Sequence, residues 1–160
     1  MTARILDGKG LAATLTDDVR KRVVARVAHG RSVPGLAVVL VGEHAASQIY
    51  VRNKRRTIEA TGMRSFAHDL PASASEQELL QLIDELNADP AVSGVLVQLP
   101  LPQAIDAERV NERLDPRKDV DGFHPYNIGR LVLKRPTLRP CTPYGCMQLL
   151  AATGEDLVGK

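Results

Sequence analysis

The feature that most constrains this chain is an alternation. One continuous apolar run, at residues 36–41, and two further extended segments, at 63–70 and 92–99, are separated by stretches whose apolar residues recur every three or four positions. A short apolar run without polar interruption marks a strand buried on both faces. The helical repeat is carried first by Leu11, Leu15, Val19, Val23 and Val27, and later by Leu79, Leu82, Ile83 and Leu86. Strands alternating with helices must cross over and run parallel, with helices covering both faces of the sheet. The predicted fold class is therefore α/β, a three-layer αβα domain with a mostly parallel sheet.

Punctuation places the boundaries. Asp7-Gly8-Lys9-Gly10 reads as a turn before the first helix, and Gly30 and Pro34 close that region. A second helix is expected over 45–60, stopped by Gly62. Ser75 with Glu78 three residues later forms a capping box for the third helix. A short helix is expected at 107–114, then a long polar stretch at 115–140 rich in Asp, Gly and Pro. Loops of that length in compact domains are usually functional. Thr142 with Pro143 reads as the N-cap and first position of a last helix running to about residue 152, with Gly154 beyond it.

Composition excludes several classes. A length of 160 residues suits one well-packed domain. A net charge of +2 is too small to imply nucleic acid or an anionic membrane. No apolar run approaches the roughly 18 residues of a membrane span, and MTARILDGKG lacks the layout of a secretory leader, so a cytoplasmic protein is expected. Cys141 and Cys146 are too few and too close for a zinc site or a disulfide framework, and read as small buried hydrophobes; no metal is expected. Five aromatic residues, Tyr50, Phe66, Phe123, Tyr126 and Tyr144, leave the core to Leu, Val, Ile and Ala.

Ligands of open parallel sheets sit beyond the carboxyl ends of the strands. After the first strand come Val41-Gly42-Glu43 and a helix with Ser47, Tyr50 and Lys54 at i, i+3 and i+7, on one face. Gln98 stands at the end of the third strand, and Asp119-Val120-Asp121-Gly122 lies in the long loop. An ammonium, an amide, a carboxylate and a phenol ring can meet in one cleft. Each has a plainer explanation. Lys54 sits in a basic run, Arg52-Asn53-Lys54-Arg55-Arg56, of the kind that usually faces solvent; Gln98 can cap a strand end; Asp121 can be an Asx-turn residue before Gly122. Spacing alone defines an α/β domain with a polar cleft.

Four segments in order add a resemblance. VGEHAASQIYVRNK at 41–54, GVLVQLPLP at 94–102, PRKDVDGFHP at 116–125 with Asn127 and Gly129, and PCTP at 140–143 with Gly145 resemble the four signatures of the methylenetetrahydrofolate dehydrogenase/cyclohydrolase family. One departure is His44-Ala45, where the family often has an acidic or amide residue followed by Pro.

The resemblance implies an amino-acid-dehydrogenase-like N-terminal domain and a bifunctional enzyme of one-carbon metabolism and purine biosynthesis. Such an enzyme oxidises 5,10-methylenetetrahydrofolate with NADP and hydrolyses the methenyl product to 10-formyltetrahydrofolate. It implies Lys54 as catalytic lysine, Gln98 as its hydrogen-bonding partner, Tyr50 stacked on the folate rings, and Asp121 accepting hydrogen bonds from the pterin. Arg55 and Arg56 beside Lys54, and a partly dry cleft, would favour its neutral amine. The folate contacts implied are Ser47, Tyr50, Val51, Arg52, Asn53, Lys54, Val97, Gln98, Leu99 and Asp121, with Cys141 and Thr142 shaping the cleft floor.

The sequence contains no G-x-G-x-x-G turn. The resemblance places the NADP-binding Rossmann domain after residues 154–160, so 1–153 is expected to be the folate-binding catalytic domain and 154–160 the start of a linker. The fragment alone is then expected to lack dehydrogenase activity, and its parent to be a homodimer. Competing readings are the substrate domain of a shikimate-dehydrogenase-like enzyme, against which the Gln98 signature and the Tyr50–Lys54 spacing count; a nucleic-acid module using Arg52, Lys54, Arg55 and Arg56; and a ligand-binding protein without catalysis.

Overall fold

β1 (Gly35–Val41) is the axis of the molecule. In the computed structural model, which describes residues 5–156, 158 and 159, it pairs in parallel with β2 (Arg64–Leu70) on one side and β3 (Gly94–Val97) on the other, giving the order β2-β1-β3. The first four residues of the leader reading, and Leu157 and Lys160 of the 154–160 segment, lie outside the described residues. Successive β1 side chains feed opposite cores. Ala37, Val39 and Val41 join Leu79, Ile83 and Leu86 of α3 (Glu76–Ala88) and Val110 of α4 (Ala107–Arg113). Val38 and Leu40 join Val51 and Ile58 of α2 (Ala45–Ala60). Helices thus cover both faces, as the continuous apolar run required. Each fully buried Val or Ile contributes on the order of 1.5–3 kcal/mol.

Consecutive crossovers from β1 to β2 and from β2 to β3 place α2 and α3 on opposite faces. The chain therefore diverges at the carboxyl ends of β1 and β3, where such sheets open a crevice. Residues 118–120 continue past the free edge of β3 through one parallel bridge, Asp119 to Val95, with Val95 N donating to Lys118 O at 2.7 Å. Lys118 Nζ in turn donates to the carbonyls of Leu86, Asn87 and Asp89, at 2.9, 2.8 and 2.8 Å, at the C-terminal end of α3.

The structure differs from the sequence reading at several ends. α1 (Gly8–Ala28) starts inside the expected turn, because the Asp7 carboxylate caps it by accepting from Gly10 N at 2.9 Å. β3 is four residues long and not the expected 92–99; beyond it, the Gln98 N–H still donates to Val39 O of β1 at 2.9 Å. The long polar stretch holds a helix, α5 (Pro125–Val132), with Pro125 at its first position and the His124 imidazole accepting from Tyr126 N at 3.0 Å. α6 (Cys141–Ala151) begins after an extended Pro140, so Thr142 lies within its first turn and is not the cap. α6 has no buried residue, and both cysteines are exposed, correcting their reading as buried hydrophobes. No helix among the described residues is long and apolar enough to cross a membrane.

Candidate functional site

The crevice is built from α2 outward. Its N-cap is His44, whose Nδ1 faces Ser47 N at 3.4 Å and Ser47 Oγ at 3.3 Å. An imidazole nitrogen thus caps the helix. Ser47 is buried at this cap and directed to His44. Four residues on, Val51 is 1% exposed against Val38 and Leu40. It supports the helix from behind and offers the crevice no side chain. Between these inward positions and the solvent face lies Lys54, half-buried, with Tyr50 one turn before it and 63% exposed. Arg52 and Asn53 are exposed on the outer flank.

Lys54 Nζ donates to Gln98 Oε1 at 3.1 Å. Gln98 is fixed from both sides: its backbone N donates to Val39 O at 2.9 Å and its Nε2 to Leu99 O at 2.6 Å. The first residue beyond β3 and a residue two turns into α2 are therefore joined across the mouth of the crevice. Val97 is in the core on the α3 face, so any contact it makes with a ligand comes from its backbone, whereas Leu99 is exposed. Arg55 does not turn toward Lys54. Its guanidinium grips both Asp69 oxygens, at 2.6 and 3.0 Å, and the carbonyl of Val38, and it holds the Asp69 carboxyl below its ordinary range.

Asp121, on the long loop, lies near enough to Lys54 for their charges to interact. Burial pushes its carboxyl above the ordinary carboxylate range, the charge of Lys54 pulls it back, and Asp119 adds to the rise. Cys141 is exposed as a residue, but partial cover of its thiol, which donates to Val120 O at 3.3 Å, together with the charge of Asp121, pushes that thiol up, and Lys54 lowers it. Lys54, Gln98, Asp121 and Cys141 thus form one electrostatic neighbourhood. Thr142 is exposed beside Cys141. Of the five aromatic residues, only Phe66 packs against a core cluster; Tyr50, Phe123, Tyr126 and Tyr144 are exposed.

Sequence reasoning passed over Asp119. It is 2% exposed and accepts from Gly122 N at 3.0 Å, His124 N at 2.8 Å and Asn127 Nδ2 at 2.9 Å. Asn127, also buried, donates to Pro116 O and accepts from Thr137 Oγ1 at 2.6 Å. The available signal was a second Asp two residues before Asp-Gly, a spacing at which a carboxylate can reach the backbone of a following turn.

Chemically, the crevice offers an amine held by a neutral amide, a carboxyl that takes up protons more readily than usual, and an exposed ring on the helix beside them. That set suits a flat, donor-rich heterocycle and proton transfer at its edge. It does not suit a dinucleotide. The turn after β1 has a single glycine, Gly42, and the His44 ring occupies the cap of α2, where a pyrophosphate would need free backbone N–H groups. The described residues contain no cluster of three or more His, Cys, Asp or Glu able to hold a metal ion.

Comparison with known proteins identifies a family and several similar folds. The sequence pattern of the family described as tetrahydrofolate dehydrogenase/cyclohydrolase, catalytic domain, matches residues 6–121. Among solved structures, the chain is similar to the bifunctional enzyme FolD, methylenetetrahydrofolate dehydrogenase/cyclohydrolase, from Campylobacter jejuni, with 41% identity and a TM-score of 0.91 over 94% of this chain and 54% of that one. A 5,10-methylenetetrahydrofolate dehydrogenase from the silkworm Bombyx mori gives 37% identity and a TM-score of 0.94, covering 97% and 53%. The Trypanosoma brucei dehydrogenase-cyclohydrolase, complexed with NADP cofactor and inhibitor, gives 33% and 0.94, covering 100% and 55%. The chain spans about half the length of these structures.

Proposed function

Because the chain belongs to the tetrahydrofolate dehydrogenase/cyclohydrolase family, we propose that it is the substrate-binding and catalytic half of an enzyme that oxidises 5,10-methylenetetrahydrofolate with NADP and hydrolyses 5,10-methenyltetrahydrofolate to 10-formyltetrahydrofolate. The observation that carries the reading is the 3.1 Å hydrogen bond from Lys54 to Gln98 at the mouth of the crevice, with Asp121 in the same electrostatic neighbourhood.

In hydrolysis, water adds to the electrophilic methenyl carbon between two nitrogens. The Lys54 amine, aimed by Gln98, accepts a proton from that water and returns it to the ring nitrogen as its bond to carbon breaks. Asp121 accepts hydrogen bonds from the pterin, and Tyr50 covers the ring face. Backbone of Val97 and Leu99 lines the floor, with Cys141 and Thr142 beside it. Ser47 and Val51 act by holding α2 in place, and Arg52 and Asn53 flank the entrance. For the oxidation this chain positions folate; NADP is held by protein outside it, in a Rossmann domain following the segment 154–160. The parent enzyme works in cytoplasmic one-carbon metabolism, supplying purine biosynthesis, as a homodimer.

Two measurements test the proposal. Tetrahydrofolate, and not shikimate, should raise the melting temperature of this chain. In the full-length parent, Lys54→Ala should abolish cyclohydrolase activity; hydrolysis at the wild-type rate would sink the role given to Lys54.

A further inference from the structure

Asp119 is an acid where burial is costly, and its surroundings explain why no other residue type serves. Its carboxylate is 2% exposed, and the groups donating to it, Gly122 N, His124 N and Asn127 Nδ2, are uncharged N–H groups. A buried charge is expensive unless its lone pairs are used. Three converging donors use them, and the carboxylate accepts without donating. An amide of the same shape would point its own N–H groups into that nest.

The three donors come from residues 122, 124 and 127, so one side chain gathers the loop after Asp121 and the first turn of α5. On the other side, the Asp119 backbone bridges to Val95 of β3. The loop is therefore referred to the sheet at one residue, and Asp121 leaves it between the bridge and the nest. Asn127 braces the arrangement by reaching Pro116 O and Thr137.

We propose that Asp119 is the positioning residue for Asp121: its buried carboxylate collects the N–H groups of residues 122, 124 and 127 and so fixes the direction in which Asp121 enters the folate crevice. The inference rests on the reading of Asp121 as the pterin-binding carboxylate. It adds that Asp119 never touches the ligand, yet its charge acts on Asp121 together with burial, against Lys54, with the Cys141 thiol facing the same group.

The test is a double-mutant cycle in the 160-residue chain, with tetrahydrofolate binding read by calorimetry. Asp119→Asn should bind about tenfold more weakly, with unchanged helical circular dichroism. In an Asp121→Ala background the same change should cost almost nothing, since the group it positions is gone. An equal loss in both backgrounds would mean general damage and would overturn the proposal, as would wild-type affinity in the single variant. If Asp119→Asn does not fold, Asn127→Ala removes one donor and replaces it in the cycle, with a loss of about threefold expected and the same two refuting outcomes. If the unaltered chain binds no tetrahydrofolate, the folate reading fails instead. The positioning is then decided by amide exchange: the N–H groups of Gly122 and His124 should exchange much faster in Asp119→Asn, and unchanged protection refutes it.

Discussion

Two glycines share one backbone conformation and differ in what stands over them, so the cost of a methyl group can be separated into two parts. Gly30 has φ +71 and Gly122 has φ +70. An alanine in this left-handed region costs about 1–2 kcal/mol at either position. At Gly30 a Cβ would meet nothing within 4 Å. At Gly122 it would lie 2.5 Å from Arg139 C, 2.7 Å from Pro140 N and 2.9 Å from Arg139 O. Carbon atoms prefer separations of about 3.5–4.0 Å, so the backbone leading into α6 must retreat by roughly 1 Å. Overpacking of that kind adds about 1–3 kcal/mol. Gly30→Ala should then lose about 1–2 kcal/mol and Gly122→Ala about 2–5 kcal/mol. At about 2–4 °C per kcal/mol for a domain of this size, the melting points should fall by a few degrees and by roughly 10 °C respectively. Thermal unfolding followed by circular dichroism measures both. Tetrahydrofolate binding, assayed well below either transition, should survive Gly30→Ala and be lost in Gly122→Ala, because the residue next to Asp121 has moved. Equal melting losses in the two variants would refute the close-approach reasoning.

Three further outcomes are expected. The folded state raises the Asp121 carboxyl above its ordinary value, so its contribution to stability is present below the unfolded value of about 3.9 and is lost as pH rises through the folded one. Asp121→Asn should therefore raise the melting temperature at pH 7, but not at pH 3, while losing tetrahydrofolate; a lower melting temperature at pH 7 contradicts this. His44→Ala should cost about 1 kcal/mol in urea unfolding through loss of the α2 cap, and His44→Asp should match or exceed the wild type because a carboxylate suits a helix N-terminus. The Asp115 carboxyl is brought to about 2, chiefly by its hydrogen bonds from Arg117. Its contribution is present above about pH 4 and is lost as pH falls toward 2, so Arg117→Met should flatten the urea midpoint across that window, modestly because Arg117 is exposed.

Much of the fold was legible because the sheet is buried on both faces. Residues 36–41 admit one plausible structure, and the capping box at Ser75 and Glu78 announced α3. What escaped was local grammar overruled by neighbours. α5 hides in a stretch whose Gly, Pro and Asp content reads as loop, since eight residues give little room for periodicity. The strand expected over 92–99 outruns β3 because Leu99 is apolar yet exposed, so apolarity alone does not mark where strand pairing stops. In the crevice, the helix-face spacing of Tyr50 and Lys54 was readable, and the resemblance supplied Gln98 as the partner of Lys54. The pairing of Arg55 with Asp69 was not, since it joins residues fourteen apart on different elements. Nor was the burial of Asp119, since an Asp two residues before Asp-Gly reads as one more turn former until its donors are known.

The three carbonyls held by Lys118 have a consequence for timing. They belong to the end of α3 and its C-cap, Asp89, and the residue whose amine satisfies them begins the loop carrying Asp121. Loop and helix end should therefore open as one unit, and their amide protons should exchange at a common rate much slower than in an untethered polar segment. An arriving ligand would meet a wall already in place, leaving its association to be set by encounter and by the shedding of water.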